Sequence, residues 1–171
     1  VIWEAIIPED EMLDRIKRDK VPYGEWSEDG WITATEGNVI DYTVLKKMIL
    51  RMNEIYDVVE VDLDRTFATM LIQEIEKEGM ESVDIPQTYS SLTDPMNHIE
   101  VLLKTGMLEH ENHPTARWCF GNVSIAKNGN GQIKYVKETR GKSVNRIKRI
   151  DLMVALVVAM ARAMLDKGMQ R

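Results

Sequence analysis

"DVVEVDLDRTFATMLIQEIEKEGMESVDIP" (residues 57–86) reads as strand, helix and strand in immediate succession. Its first part, 57–64, carries Val58, Val59, Val61 and Leu63, a run suited to an interior strand. From about Thr66 to Glu78 the apolar positions take helical spacing, and Gly79 ends the helix. "MESVDIP" (80–86) is a second strand. Such a unit makes a parallel strand pair with a right-handed crossover, which places the chain among α/β folds.

Strands and helices alternate on both sides of this unit. "VIWEAII" (1–7) reads as a strand stopped by Pro8, and residues 8–20 as a short surface helix with Pro8 at its first position and acids in its first turn. Pro22, Gly24, Gly30 and Gly37 make residues 21–38 a loop that holds Trp26 and Trp31, with a brief extended piece, "WITAT". A helix runs from about Tyr42 to Tyr56, with Val44, Leu45, Met48, Ile49, Met52 and Ile55 on one face and Asp41 as its N-cap. Downstream come a helix from about Ser91 to Lys104 ended by Gly106, a helical turn over 115–121 and the strand "NVSIAK" (122–127). The turn "NGNG" (128–131) leads into "QIKYV", the clearest hairpin signal in the chain. A basic loop and the apolar helix "IDLMVALVVAMARAML" (150–165) follow. There is no internal repeat and no low-complexity segment.

With 171 residues, 44% hydrophobic and 29% charged, the chain is read as one domain with a real core. Cys119 is the only cysteine, which excludes an internal disulfide and suits a reducing, cytoplasmic setting. Between Trp118 and Phe120 it reads as a core residue, not a nucleophile. The longest apolar run, Leu152 to Ala161, is shorter than the ~20 residues a bilayer needs, so no membrane partner is expected. No secretory signal opens the chain. It starts at Val1, inside a strand and without an initiating methionine, and is read as part of something longer.

The net charge of −6 hides a polarised distribution. Between Lys127 and Arg149 eight basic residues (Lys127, Lys134, Lys137, Arg140, Lys142, Arg146, Lys148 and Arg149) face one acid, Glu138, a local charge of +7. Such a segment focuses a positive field on one region. It is either a solvated loop or a phosphate-contacting surface.

Two aspartates stand at element ends: Asp64 closes the strand 57–64 and Asp151 opens the terminal helix. Phosphodiester hydrolysis needs an activated water and charge stabilisation on the attacking and leaving oxygens, and two Mg²⁺ or Mn²⁺ ions ~4 Å apart supply both. Hard ions take a few carboxylates plus water and phosphate, so such a site shows in sequence as isolated Asp or Glu at element ends. Each aspartate also has an ordinary reading as a helix cap, and spacing alone leaves both open. Asp62 alternates with Asp64 and is expected to face the other way, so that at most one of them serves a given site. His98, His110 and His113 lack ligand spacing, and Trp3, Trp26, Trp31 and Trp118 read as packing residues. A G-x-x-x-x-G-K-[ST] phosphate loop and a G-x-S-x-G elbow are both absent.

Four blocks, "VPYGEWSEDGWITATEGNVIDY" (21–42), "VDLDRTFATMLIQEIEKEG" (61–79), "HPTARWCFGNVSIAKNGNGQIK" (113–134) and "RIDLMVALVVAMARAM" (149–164), occur in an order that resembles the C-terminal nuclease domain of the phage large terminase subunit. The resemblance spans nearly the whole chain. It implies a ribonuclease-H-like fold: a mixed β-sheet flanked by helices, with acidic residues at one edge. It further implies a two-metal-ion endonuclease that cuts concatemeric double-stranded viral DNA during packaging, in the bacterial cytoplasm. An N-terminal ATPase domain, the small terminase subunit and the portal are the partners it implies.

Residue by residue, the resemblance assigns metal-ligand and catalytic roles to Asp64 and Asp151, with Mg²⁺ or Mn²⁺ as cofactor. It sets Lys134, Lys137, Arg140, Lys142, Arg146, Lys148 and Arg149 against the DNA backbone, where phosphate contacts position a duplex without reading it. Two departures stand out. The family's first metal-binding aspartate sits on a strand upstream of Val1, so residues 1–171 are expected to lack that strand and ligand; Glu4 lies on the following strand. The family's "IDG" is here Ile150-Asp151-Leu152. Two other readings are a non-catalytic module that docks DNA or the packaging motor, and another ribonuclease-H-like nuclease of resolvase or transposase type.

Overall fold

The computed structural model describes residues 1–137 and 148–165, without the side chains of 65–68. Helices and short strands alternate, as the sequence pattern requires. Among the described residues the strands form three two-stranded ladders, two parallel and one antiparallel.

The first ladder pairs β1 (Ile6–Pro8) with β2 (Thr33–Thr35) in parallel, Ile6 opposite Thr33 and Pro8 opposite Thr35. β1 is shorter than the strand expected over 1–7, and Pro8, which has no N–H to give, is its last residue. Between the two strands lie α1 (Met12–Asp19) and α2 (Tyr23–Glu28). The second helix falls where Gly and Pro suggested only loop. Packing overrides that local preference: the Tyr23 hydroxyl donates to Asp19 Oδ2 at 3.0 Å, and its ring meets Trp26 and Trp118 edge-on at 6.0 and 5.8 Å.

α3 (Tyr42–Ile55) begins as expected, with the Asp41 carboxylate accepting from the Thr43 N–H at 2.7 Å. None of its residues is buried. The decisive segment then forms β3 (Val61–Leu63), α4 (Arg65–Lys77) and β4 (Ser82–Asp84), with β3 and β4 parallel. The run 57–60 stays outside the strand, and Val59 is exposed. Gly79, with φ of 82°, supplies the left-handed turn after α4 that a Cβ would strain.

α5 (Tyr89–Thr105) opens with a reciprocal cap between Thr88 and Ser91 and closes at Gly106. α6 (Pro114–Gly121) leads into the antiparallel hairpin of β5 (Val123–Lys127) and β6 (Ile133–Lys137). Asn128 Oδ1 holds the turn by accepting from the N–H groups of Asn130 and Gln132, 3.0 Å each. Thr93 pins the hairpin to α5, its hydroxyl accepting from the Ile133 N–H at 3.0 Å. The terminal helix, α7 (Asp151–Ala163), is apolar enough to be the central strut.

Three clusters make the core. The largest sets Met153, Leu156, Val157 and Met160 of α7 against Leu92, Met96 and Ile99 of α5, with Trp3 and Ala116. Val157 is fully buried, which stabilises by roughly 1.5–3 kcal/mol against an exposed valine. A second joins Ile7, Val21, Tyr23 and Ile32 around the first ladder, and a third joins Leu71, Ile75 and Met80 beneath the second. Among the described residues no helix is long and apolar enough to cross a membrane.

Candidate functional site

Asp151 is the first residue of α7 and is exposed. It does not cap the helix. Ile150 holds the N-cap position and makes no side-chain cap bond. Instead the N–H groups of Asp151 and Leu152 face the sulfur of Cys119. Burial pushes that thiol up to about 11 against these two donors, so Cys119 is a protonated core residue, as its neighbours suggested. Nearby, Asn122 Nδ2 donates to the Arg149 carbonyl at 3.0 Å and ties the end of α6 to the approach of α7.

Asp64 is the first residue past β3, half-buried and directly before α4. Burial, and then the Asp64 charge, push the Tyr135 phenol up to about 12, so the carboxylate lies near the hairpin. Asp62 lies two residues earlier, inside β3. Residues two apart in a strand share a face, so strand alternation gives no reason for Asp62 and Asp64 to oppose each other. The partition runs instead between Asp62 and Val61: Asp62 lines a recess with Ala159 and Arg162 of α7, and Val61 packs against the cluster of α4. Burial first, then the neighbouring Glu60, raise the Asp62 carboxyl to about 6, opposed by Arg162. Its Oδ1 is buried with no hydrogen-bond partner among the described residues.

Arg162 fixes β3 on α7 by donating from Nε and Nη2 to the two carboxylate oxygens of Glu60, 2.8 Å each. Glu60 and Asp62 line one recess with Ala159 and Arg162, in the C-terminal part of α7. Glu4, Asp62, Arg149 and Asp151 share the wall of one open cleft of about 770 Å³.

The donors fit a hard divalent ion in kind, since Asp64 and Asp151 offer only carboxylate oxygen and the single thiol is buried and protonated. In number they are few: among the described residues no group of three or more His, Cys, Asp or Glu is placed to hold a metal.

The basic residues divide by position. Lys134 Nζ sits 4.8 Å over the Tyr89 ring, and Lys137 is exposed at the end of β6. Lys148 and Arg149 are half-buried just before α7. Arg149 lines the cleft, and its charge bears on Asp19, Tyr23 and Cys119, an inward placement that the run of basic residues did not suggest. Arg140, Lys142 and Arg146 lie outside the described residues.

Sequence reasoning passed over Glu60 and Arg162. Arg162 carried a signal, as a lone charge within an apolar run, but nothing local tied it to Glu60 across 102 positions.

A family model described as "Terminase large subunit, endonuclease domain" matches residues 3–167. Protein YmfN of Escherichia coli (strain K12) is 33% identical over 149 residues, covering 87% of this chain and 32% of that protein. The large terminase subunit of Enterobacteria phage HK97 is 24% identical over 168 residues, covering 95% and 32%. The crystal structure of the HK97 large terminase superposes with a TM-score of 0.80 at 22% identity, over 94% of this chain and 34% of that one. The large terminase nuclease of thermophilic phage G20c gives a TM-score of 0.55 at 16% identity, over 74% and 64%. The chain spans about a third of the length of the curated relatives it matches.

Proposed function

Because the chain belongs to the terminase large subunit endonuclease domain family, we propose that it is a metal-dependent endonuclease domain that cuts double-stranded viral DNA during packaging. Asp64 and Asp151 would hold Mg²⁺ or Mn²⁺, two ions in the complete site, and the bound metal supplies an activated water and charge stabilisation at the scissile phosphate. Lys134, Lys137, Arg140, Lys142, Arg146, Lys148 and Arg149 would bind the DNA backbone and orient it. In the longer protein an ATPase domain, the small terminase subunit and the portal are the proposed partners, in the host cytoplasm.

One observation carries the reading. Asp151 heads α7 without holding its N-cap position, so its exposed carboxylate is not tied up in a cap. The Glu60–Arg162 clasp holds β3, the strand that leads into Asp64, against α7, the helix that Asp151 opens.

Mn²⁺ binding, followed by the loss of the free ion's paramagnetic resonance signal, should weaken at least about tenfold in Asp64→Ala and in Asp151→Ala; a good metal carboxylate contributes more than 1.4 kcal/mol. Mn²⁺-dependent nicking of supercoiled plasmid should fall with it. Unchanged binding and nicking in both variants would refute the assignment. The small donor set among the described residues favours one rival, a non-catalytic docking module. DNA binding with no Mn²⁺ uptake would establish it.

A further inference from the structure

Tyr135 lies in the middle of β6, and its ring is held from two directions. Two positions earlier, on the same face of the strand, the Ile133 N–H donates to the Thr93 hydroxyl of α5 at 3.0 Å. Ile133 and Tyr135 both pack against the cluster that α5 and α7 share. The antiparallel register sets Tyr135 opposite Ile125 and Ile133 opposite Lys127, at the turn end of the ladder. The ring therefore has a fixed seat between the hairpin and the centre of the chain.

The hydroxyl is harder to account for. Its oxygen is buried and has no hydrogen-bond partner among the described residues. Buried tyrosine hydroxyls usually find one, and each exception calls for a reason. A phenylalanine would fill the same seat without stranding a polar atom. Packing thus explains the ring and not the oxygen. Burial raises the phenol first and the Asp64 charge raises it further, so the oxygen and that carboxylate lie within electrostatic reach of each other.

Asp64 has use for such a neighbour. It stands one residue past the last paired position of β3, where Leu63 faces Asp84, and directly before α4. The ladder does not set which way its side chain turns. A carboxylate that binds a cation through one oxygen leaves lone pairs on the other, and a donor there fixes both.

We infer that Tyr135 is a positioning residue for Asp64: when the carboxylate takes a divalent cation, the Tyr135 hydroxyl donates to its remaining oxygen and holds it in the binding orientation. This rests on the metal-site reading given above. The tyrosine touches neither the ion nor the phosphate and acts through Asp64.

Tyr135→Phe keeps the ring and removes the oxygen. Free Mn²⁺, followed by its paramagnetic resonance signal, should report an affinity at least about tenfold below the parent, the usual cost of losing an outer partner of a metal ligand. In Asp64→Asn the same change should alter the affinity by less than about twofold, because the hydroxyl has lost the group it positions. In EDTA the thermal midpoint of Tyr135→Phe should be no lower than that of the parent, since no hydrogen bond is broken in the metal-free chain. An earlier melt in EDTA, or an equal fall in affinity in both backgrounds, overturns the inference.

Parental Mn²⁺ affinity in Tyr135→Phe beside a weakened Asp64→Ala overturns it too, and leaves the metal site standing. Unchanged affinity in Asp64→Ala overturns both. Weaker DNA binding by Tyr135→Phe with Mn²⁺ affinity intact assigns the hydroxyl to the DNA phosphates, and so also overturns it. Should the variant not fold, the parent is read directly. Mg²⁺ should then shift the tyrosine absorption of the parent and not that of Asp64→Asn; no shift overturns the inference.

Discussion

Arg162 and Glu60 meet fork to fork, Nε to Oε1 and Nη2 to Oε2, with both bonds 2.8 Å long. The pair is the polar joint between α7 and β3, and Glu60 is its more buried member, at 16% side-chain exposure against 35% for Arg162. Removing Arg162 strands a half-buried carboxylate beside Asp62. Removing the Glu60 charge leaves a guanidinium that water can reach. Arg162→Ala should therefore cost about 2 kcal/mol and Glu60→Gln about 1 kcal/mol in urea unfolding. Equal or reversed losses would show that the joint is not what holds β3.

Asp62 makes stability fall with pH. Its folded pKa of about 6 lies above the unfolded value near 3.9. The folded state thus binds the proton more tightly, a contribution complete below about pH 4 and lost as pH rises through about 6. Asp62→Asn removes the titration. In EDTA, the variant should gain about 1 kcal/mol on the parent between pH 4 and pH 7.5, a figure reduced for partial exposure. Parallel stability curves across that window would mean that Asp62 is solvated.

Cys119 should resist thiol reagents. It is buried and its pKa lies near 11, so almost no thiolate exists at pH 8. Reaction with a soluble disulfide reagent should run at least about 100-fold slower in the folded chain than in 8 M urea. A fast native reaction would show that the start of α7 opens.

Lys137 and Lys134 should differ in what they cost. If each meets one phosphate, alanine at either lowers the slope of log affinity against log salt by about 0.9, for any DNA sequence. Lys134 also sits over Tyr89, so its loss should cost a further ~0.5 kcal/mol of stability. Lys137, exposed at the strand end, should cost none. Fluorescence anisotropy at several salt concentrations, paired with thermal melts, separates the two effects.

Local chemistry was legible wherever a short-range rule decides. Asp41 caps α3, Gly79 and Gly106 end their helices, and "NGNG" turns the hairpin, because each acts within a few residues. The strand–helix–strand unit over 57–86 also formed, though β3 keeps only Val61 to Leu63, since among the described residues 57–60 pairs with no strand. α2 was missed because Tyr23 and Trp26 are held by residues as distant as Trp118. The candidate aspartates were found at element ends, where the sequence set them. The partition around them was not legible: the placement of Asp62 against α7, the inward turn of Arg149 and the grip of Arg162 on Glu60 depend on residues far apart in the chain.

The three separate apolar clusters have a thermodynamic signature. Heat should not melt this chain in a single step. The β3–β4 lobe, built on Leu71, Ile75 and Met80, can come away from the α5–α7 centre without emptying it. Calorimetry should then record a total enthalpy larger than the van't Hoff value drawn from the sharpness of the curve, and brief proteolysis should release the middle of the chain before its C-terminal third.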